Sequence, residues 1–217
     1  MAEKTKTRPE DNLHCFKGMG RAYWERRARG FEPIIEKGKN GHYVRLKTEK
    51  EGLDHKKVPN ADSYAIQNGG VYSPQQTNMH PGIYYRFISS IRGSPTGNWW
   101  LEPEHYFTIR SLANERDVSL ALAASLCLVI PKEWGNCGIL VRAKPNTRLH
   151  AFIGKGKPAT GSVSPDNAKR DKQTQRAHMA PAHIEIKQWF VPGERDFLKK
   201  VFHVEKTINV LKKGNEF

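Results

Sequence analysis

The sequence predicts an α+β fold, and three observations carry that reading. Short runs rich in β-branched and aromatic residues, Ile83 to Ile91 and His183 to Val191 above all, stand between clusters of turn-forming residues, as strands do. Helix starts lie between them: Pro103, with Glu102 before it and Glu104 after it, puts proline and acidic side chains where a first helical turn favours them. The third is size. A chain of 217 residues that is 37% hydrophobic, with its aromatic residues spread along it, can bury a core without staples.

Taken in order, residues 1–11 are polar and predict a disordered tail. Asn12 to Lys37 reads as helical, with Leu13, Phe16, Tyr23, Trp24, Phe31, Ile34 and Ile35 interleaved with arginines. Gly18, Gly20 and Gly30 interrupt it, and Pro33 is expected to open a second short helix. Residues 38–60 are charge-rich around one strand candidate, His42 to Leu46. After Gly69, Gly70 and a loop at residues 73–82 the texture changes, so residues 1–70 form a basic N-terminal segment and 71–217 the main domain. That domain opens with the strand Ile83 to Ile91, a turn, a short strand from Asn98 to Leu101 and a helix from Pro103 to about Ala113. Ser119 to Cys127 reads as a buried helix, while Leu126 to Ile130 fits a buried strand equally well. Strands follow at Gly138 to Ala143 and Leu149 to Ile153, then a long loop at 154–181. The strand His183 to Val191, a helix from Asp196 to Val204 and a strand from Thr207 to Leu211 complete the chain.

Charge narrows the partners. Lys plus Arg number 36 against 22 Asp plus Glu, a net +14 that attracts RNA, DNA or an acidic membrane face and equally assists a small anionic substrate. Cys15, Cys127 and Cys137 form neither a disulfide framework nor a zinc motif, which suits a reducing compartment. The polar start lacks a signal-peptide pattern, and the apolar run Val118 to Ile130 is too short to span a bilayer. A soluble protein without a membrane span is expected.

Three pieces carry chemistry when read together. In GIYYRF, Arg86 sits among aromatics on a strand, where a guanidinium grips a pyrophosphate or carboxylate, although an edge arginine stacked on tyrosine would look the same. In GNWWLEPEHYFTIRSLA, residues 97–113, Trp99 and Trp100 point to opposite faces of a strand; one can enter the core while the other walls a flat heterocycle. Arg110 on the following helix is a second cation for that cleft. In HIEIKQWFVPGE, residues 183–194, Gln188 shares the apolar face of a strand with Ile186 and Phe190 and needs a partner or a ligand.

This order of pieces resembles the ADP-ribosyltransferase superfamily of bacterial toxins: a strand bearing Arg, a Gly turn and aromatic strand followed by a helix, then a late strand ending in apolar residues and Pro-Gly. Gln188, Trp189, Phe190, Val191, Pro192 and Gly193 occupy the pattern in which the family usually has a catalytic Glu. The RSLA motif and late Gln are similar to the tuberculosis-necrotizing-toxin type of NAD glycohydrolase, and the G-x-WW and W-G-N motifs to transferase tips of Rhs-type toxins.

The resemblance covers about residues 80–195. It implies a split β-sandwich behind an N-terminal helical segment, with 71–217 as the catalytic domain and NAD as substrate without a metal. It implies catalytic Arg86 with Gln188 or Glu185, and a cofactor site of Arg86, Trp99, Trp100 and Arg110. It further implies a secreted effector acting in a target cell's cytoplasm, a protein or nucleic-acid acceptor, and a cognate immunity protein. WWL replaces the family's Ser-Thr-Ser, and Ile186 stands two residues before Gln188 where transferases carry a carboxylate or Gln, which shifts the expectation toward simple hydrolysis. Glu185, two residues after His183, is the alternative acid. The rival reading is a metal-independent nuclease or basic nucleic-acid-binding toxin using His105, His150, His178 or His183; the sequence shows no HxxxH or DxD cluster and no RRM, KH or zinc-finger motif.

Overall fold

A computed structural model describes residues 11–33, 35–37, 43–45, 64–65, 69–90, 94–128, 130, 135–157, 159 and 185–214. All of the expected 1–11 tail but Asp11, most of the 154–181 loop and His183 lie outside these residues. The helices are α1 (Leu13–Met19), α2 (Arg21–Ala28), α3 (Pro103–Glu115), α4 (Leu120–Cys127) and α5 (Arg195–Val201). The short strands β1 (Glu32–Pro33) and β4 (Tyr64–Ala65) pair with each other, as do β2 (Ile35–Lys37) and β3 (Tyr43–Arg45). The remaining strands are β5 (Gln75–Met79), β6 (Tyr84–Ile88), β7 (Trp99–Trp100), β8 (Ile139–Pro145), β9 (Leu149–Lys155), β10 (Lys187–Phe190) and β11 (Phe202–Asn209).

These seven strands build two antiparallel sheets, ordered β5-β9-β10-β7 and β11-β8-β6. The chain is α+β. The sheets are joined where β7 ends: Leu101 and Tyr85 exchange both backbone hydrogen bonds, at 2.8 and 2.9 Å, so the segment that starts as the edge of one sheet finishes against the edge strand of the other.

Alternation along the strands sets four layers. Met79, Trp100, Leu149, Ala151, Trp189 and Val191 face Tyr84, Ile88, Val141, Ala143 and Phe202 between the sheets, with Trp100 stacked on Phe202 at 4.2 Å. On the outer side of the three-stranded sheet, Tyr85, Phe87 and Leu140 pack under α3 and α4. On the outer side of the four-stranded sheet, Phe152 and Phe190 pack under Cys15, Trp24 and Ala28 of α1 and α2. Burying a side chain of this size contributes roughly 1.5–3 kcal/mol each.

Local chemistry explains most boundaries. Gly20, at φ +78, separates α1 from α2, and the Trp24 indole N–H ties them back together by donating to the Cys15 carbonyl at 3.0 Å. Pro103 opens α3, and Ser119 caps α4 by accepting from the Leu122 N–H. The helix reading therefore holds through Cys127.

Three expectations are corrected. Pro33 belongs to a strand pair, not to a helix; its missing N–H is harmless on a two-residue ribbon. The loop at 73–82 contains β5, whose polar residues QQTNM earn their strand by pairing along β9. The helix begun near Asp196 stops at Val201, and the last strand starts directly at Phe202 because β8 offers a partner from Pro145 onward.

Candidate functional site

Arg86 leaves β6 toward the space between the sheets, on the side of Tyr84 and Ile88. Its guanidinium reaches the start of β7: Nη1 donates to the Trp99 carbonyl at 3.0 Å, and Cζ lies 6.0 Å from the centre of the Trp100 ring. Nε is shut off from solvent without a hydrogen-bond partner, and no carboxylate among the described residues pairs with the group. Burial pulls its pKa down from the ordinary arginine value to about 10. Gly97 is the reason the guanidinium fits, since a Cβ there would stand 2.6 Å from Nη2. Thr96, beside it, is also buried with an unpartnered hydroxyl.

The two tryptophans divide the work that the sequence left open between them. Trp100 is 1% exposed and belongs to the inter-sheet core, so it offers no wall to a ligand. Trp99 turns to the other face and stays partly exposed, its ring edge-on to Phe190 at 4.8 Å. Gln188 lies one strand over on β10, two residues from Phe190 and on the same face as Trp99. The positions beside it on β9 and just after it are Gly154 and Gly156, which leave the floor flat, and Gln188 Nε2 would stand 2.5 Å from a Cβ at Gly156.

Arg86 thus touches Trp99 through its backbone only, whereas the Trp99 ring and Gln188 open onto the opposite face of the four-stranded sheet from the Arg86 guanidinium, with the short strand β7 between them. Glu185 is exposed, three residues before Gln188. Arg110 is half-buried two turns into α3, away from the helix start that adjoins β7.

What holds the Gln188 strand in place was not evident from the sequence. Its Pro192–Gly193 end is gripped from two sides. Asn98 donates to the carbonyls of Val191 and Gly193, at 2.8 and 3.0 Å, and Asn12, fully buried, donates to the carbonyls of Pro192 and His150 while accepting from the His150 N–H. Two asparagines before apolar runs look like ordinary cap residues in a sequence, and only the fold reveals a shared target.

A second group gathers at the start of α3. Ligand atoms of Glu102, Glu104 and His105 lie within 4.8 Å of one another. His105 is buried, and its Nε2 makes no hydrogen bond although it stands 3.3 Å from Glu104. Burial pushes its pKa down, against the opposing charges of Glu104 and Glu102. Tyr84 nearby is raised to about 12 by burial and by Glu102. The carboxylates also suit the positive end of α3. Cys15, Cys127 and Cys137 are buried, and burial raises their pKa values, the opposite of the exposed, low-pKa setting of a reactive thiol. Among the described residues, no helix is long and apolar enough to cross a membrane.

No protein-family model matches the chain, nor does any curated protein or solved structure.

Proposed function

We propose that the chain cleaves the nicotinamide–ribose bond of NAD⁺ and passes ADP-ribose to water or to a macromolecule. The observation that supports this most is Arg86: a guanidinium lodged at the junction of two sheets, with an unpartnered Nε, no counter-ion among the described residues, and a hydrogen bond to the backbone of Trp99, whose partly exposed indole lies on the other face of the same short edge strand. Such a cation suits a pyrophosphate, and such a ring suits a nicotinamide. The strand order supports the reading as well, because the strands bearing Gln188, Trp99 and Arg86 lie side by side in that order.

In this mechanism the C1′–N1 bond breaks with its electron pair leaving on nicotinamide, and an oxocarbenium-like ribose is attacked at C1′ by water or an acceptor hydroxyl or amine, which loses a proton. Arg86 holds the pyrophosphate and Trp99 stacks on the nicotinamide. The Gln188 amide, or else the Glu185 carboxylate, orients the ribose hydroxyls. A neutral amide steadies developing positive charge less than a carboxylate does, so the site relies more on positioning. Ile186, 3% exposed, fills the place two residues before Gln188 where an acceptor-directing carboxylate would sit, which favours water. A toxin-type effector role, with a cognate immunity protein, belongs to the same proposal.

The test is free nicotinamide released from NAD⁺ by the purified chain, alone and then with total RNA and cell protein. Release by the native chain and its loss in Arg86→Ala is the expected result. No release under any condition overturns the proposal in favour of a metal-independent nuclease.

A further inference from the structure

On the face opposite Gln188, the ends of β9 and β10 carry a row of cations without an ion-pair partner among the described residues. Lys187 on β10 and Lys155 on β9 are directly opposite each other in the antiparallel register, and both are exposed. Like charges so placed destabilise a sheet. Tyr72 continues the row: its N–H donates to the Lys155 carbonyl at 2.8 Å, and its ring is 49% exposed. Lys157 completes it, with Nζ 5.3 Å from the centre of the Tyr72 ring. Strand alternation puts Tyr72, Lys155, Lys157 and Lys187 on one face. Among the described residues no carboxylate pairs with any of the three lysines. Glu102, Glu104 and Glu185 lie, with Lys187, close enough to His105 to act on its charge, and none of them forms an ion pair with Lys187. Arg29 also stands close to Lys157, its own charge paired with Glu25 at 2.6 Å.

We infer that this row binds single-stranded nucleic acid, the lysines meeting its phosphates and the exposed Tyr72 ring stacking on an unpaired base. Lysines around one projecting aromatic ring are what a backbone-tracking surface with a stacking platform requires. A duplex has no free base for the ring. A membrane face would need apolar neighbours, and the exposed large apolar side chains Leu13, Phe107, Leu122 and Leu211 belong to other elements. Lys155 and Lys157 flank Gly156 on the face opposite Gln188, so a strand held here lies across the sheet from that amide. That this strand is the ADP-ribose acceptor rests on the proposed NAD⁺ cleavage; its binding does not.

The experiment uses the full chain and a labelled oligouridine of about 20 nucleotides, without NAD⁺, followed by fluorescence anisotropy across roughly 50–200 mM salt. Replacing Lys155, Lys157 and Lys187 with Gln is expected to flatten the slope of log affinity against log salt by about 2, at ~0.7 per single-strand phosphate contact. Tyr72→Ala is expected to weaken binding about tenfold, in line with one lost base stack. Replacing Lys199, Lys200 and Lys212 with Gln is the control and leaves the slope unchanged. All are exposed except the half-buried Lys157, and melting curves verify the fold. An unchanged slope in the first triple variant overturns the inference, as does equal binding of a duplex or of polyglutamate. Row-dependent binding without nicotinamide release keeps the surface and removes its acceptor role. Nicotinamide release without row-dependent binding overturns the surface alone.

Discussion

Arg86 sits where a cation is least at ease, with its pKa drawn down to about 10 by burial and its Nε unpartnered. The pH consequence follows from the sign of that shift. Below about 10 the desolvation cost is present in full; as pH rises from there toward the unfolded value, the folded chain has already released a proton that the unfolded chain still holds, so relative stability increases. A group kept at such a cost is better explained by a ligand than by the fold, and Arg86→Met separates the two. It is expected to raise the melting midpoint by roughly 2–4 °C, the shift for about 1 kcal/mol in a chain of this size, while nicotinamide release disappears. A drop in both would make Arg86 a structural residue. His105 gives a second expectation. Its pKa is depressed, so the neutral form is the folded one; stability is complete above the unfolded value of 6.5 and falls as pH descends from there toward the folded value. Melting curves at neutral and mildly acidic pH are expected to show that loss in the native chain and a smaller one in His105→Gln.

Elements hold these side chains at their working distances, and glycines mark where two elements come closest. Gly156→Ala would put a methyl carbon 2.5 Å from Gln188 Nε2 and little else, so the flexible amide swings aside and the sheet stays intact. Reduced nicotinamide release at an unchanged melting midpoint is expected, and an unchanged rate would remove Gln188 from the mechanism in favour of Glu185. The contrast is Gly70→Ala, where the methyl would meet the backbone of Arg29 and Gly30 at 2.3 Å and φ is +77, so that loss of the fold itself is expected. The sequence revealed the elements whose pattern was local. β6 carries aromatic residues and Ile88, β10 carries Trp189 and Phe190, and α3 has its proline and acidic first turn. β5 was invisible because QQTNM is polar, and its strand exists only through pairing with β9, some seventy residues away. Phe202 as a strand start was hidden for the same reason, its partner being Pro145. At the site, Arg86 and Gln188 could be read from their unusual apolar surroundings. Which tryptophan stays out of the core could not, since that depended on Phe202 occupying the space over Trp100.

Across the whole molecule, the N-terminal helices are a structural layer of the sheet that carries Gln188. α1 and α2 cover Phe152 and Phe190, and Asn12, just before α1, reaches His150 and the Pro192 carbonyl some 180 residues on in sequence. Asn98 approaches the same turn from β7 through the carbonyls of Val191 and Gly193. One turn is therefore fixed by the first described segment of the chain and by the strand that joins the two sheets. Removing Asn12 strands the His150 N–H and the Pro192 carbonyl in a buried site, at a cost of about 1–3 kcal/mol for each unsatisfied group. Asn12→Ala is accordingly expected to lower the melting midpoint by several degrees. Asn98→Ala frees two carbonyls at a half-buried position and lowers it less. If the two asparagines hold one turn, the loss of either already loosens what the other holds, so the double variant is expected to be less destabilised than the sum of the singles, by about 0.5–3 kcal/mol in a denaturant-unfolding cycle. Strict additivity would mean that the two contacts act on separate structures, and that the helical layer and the β7 junction fold without reference to each other.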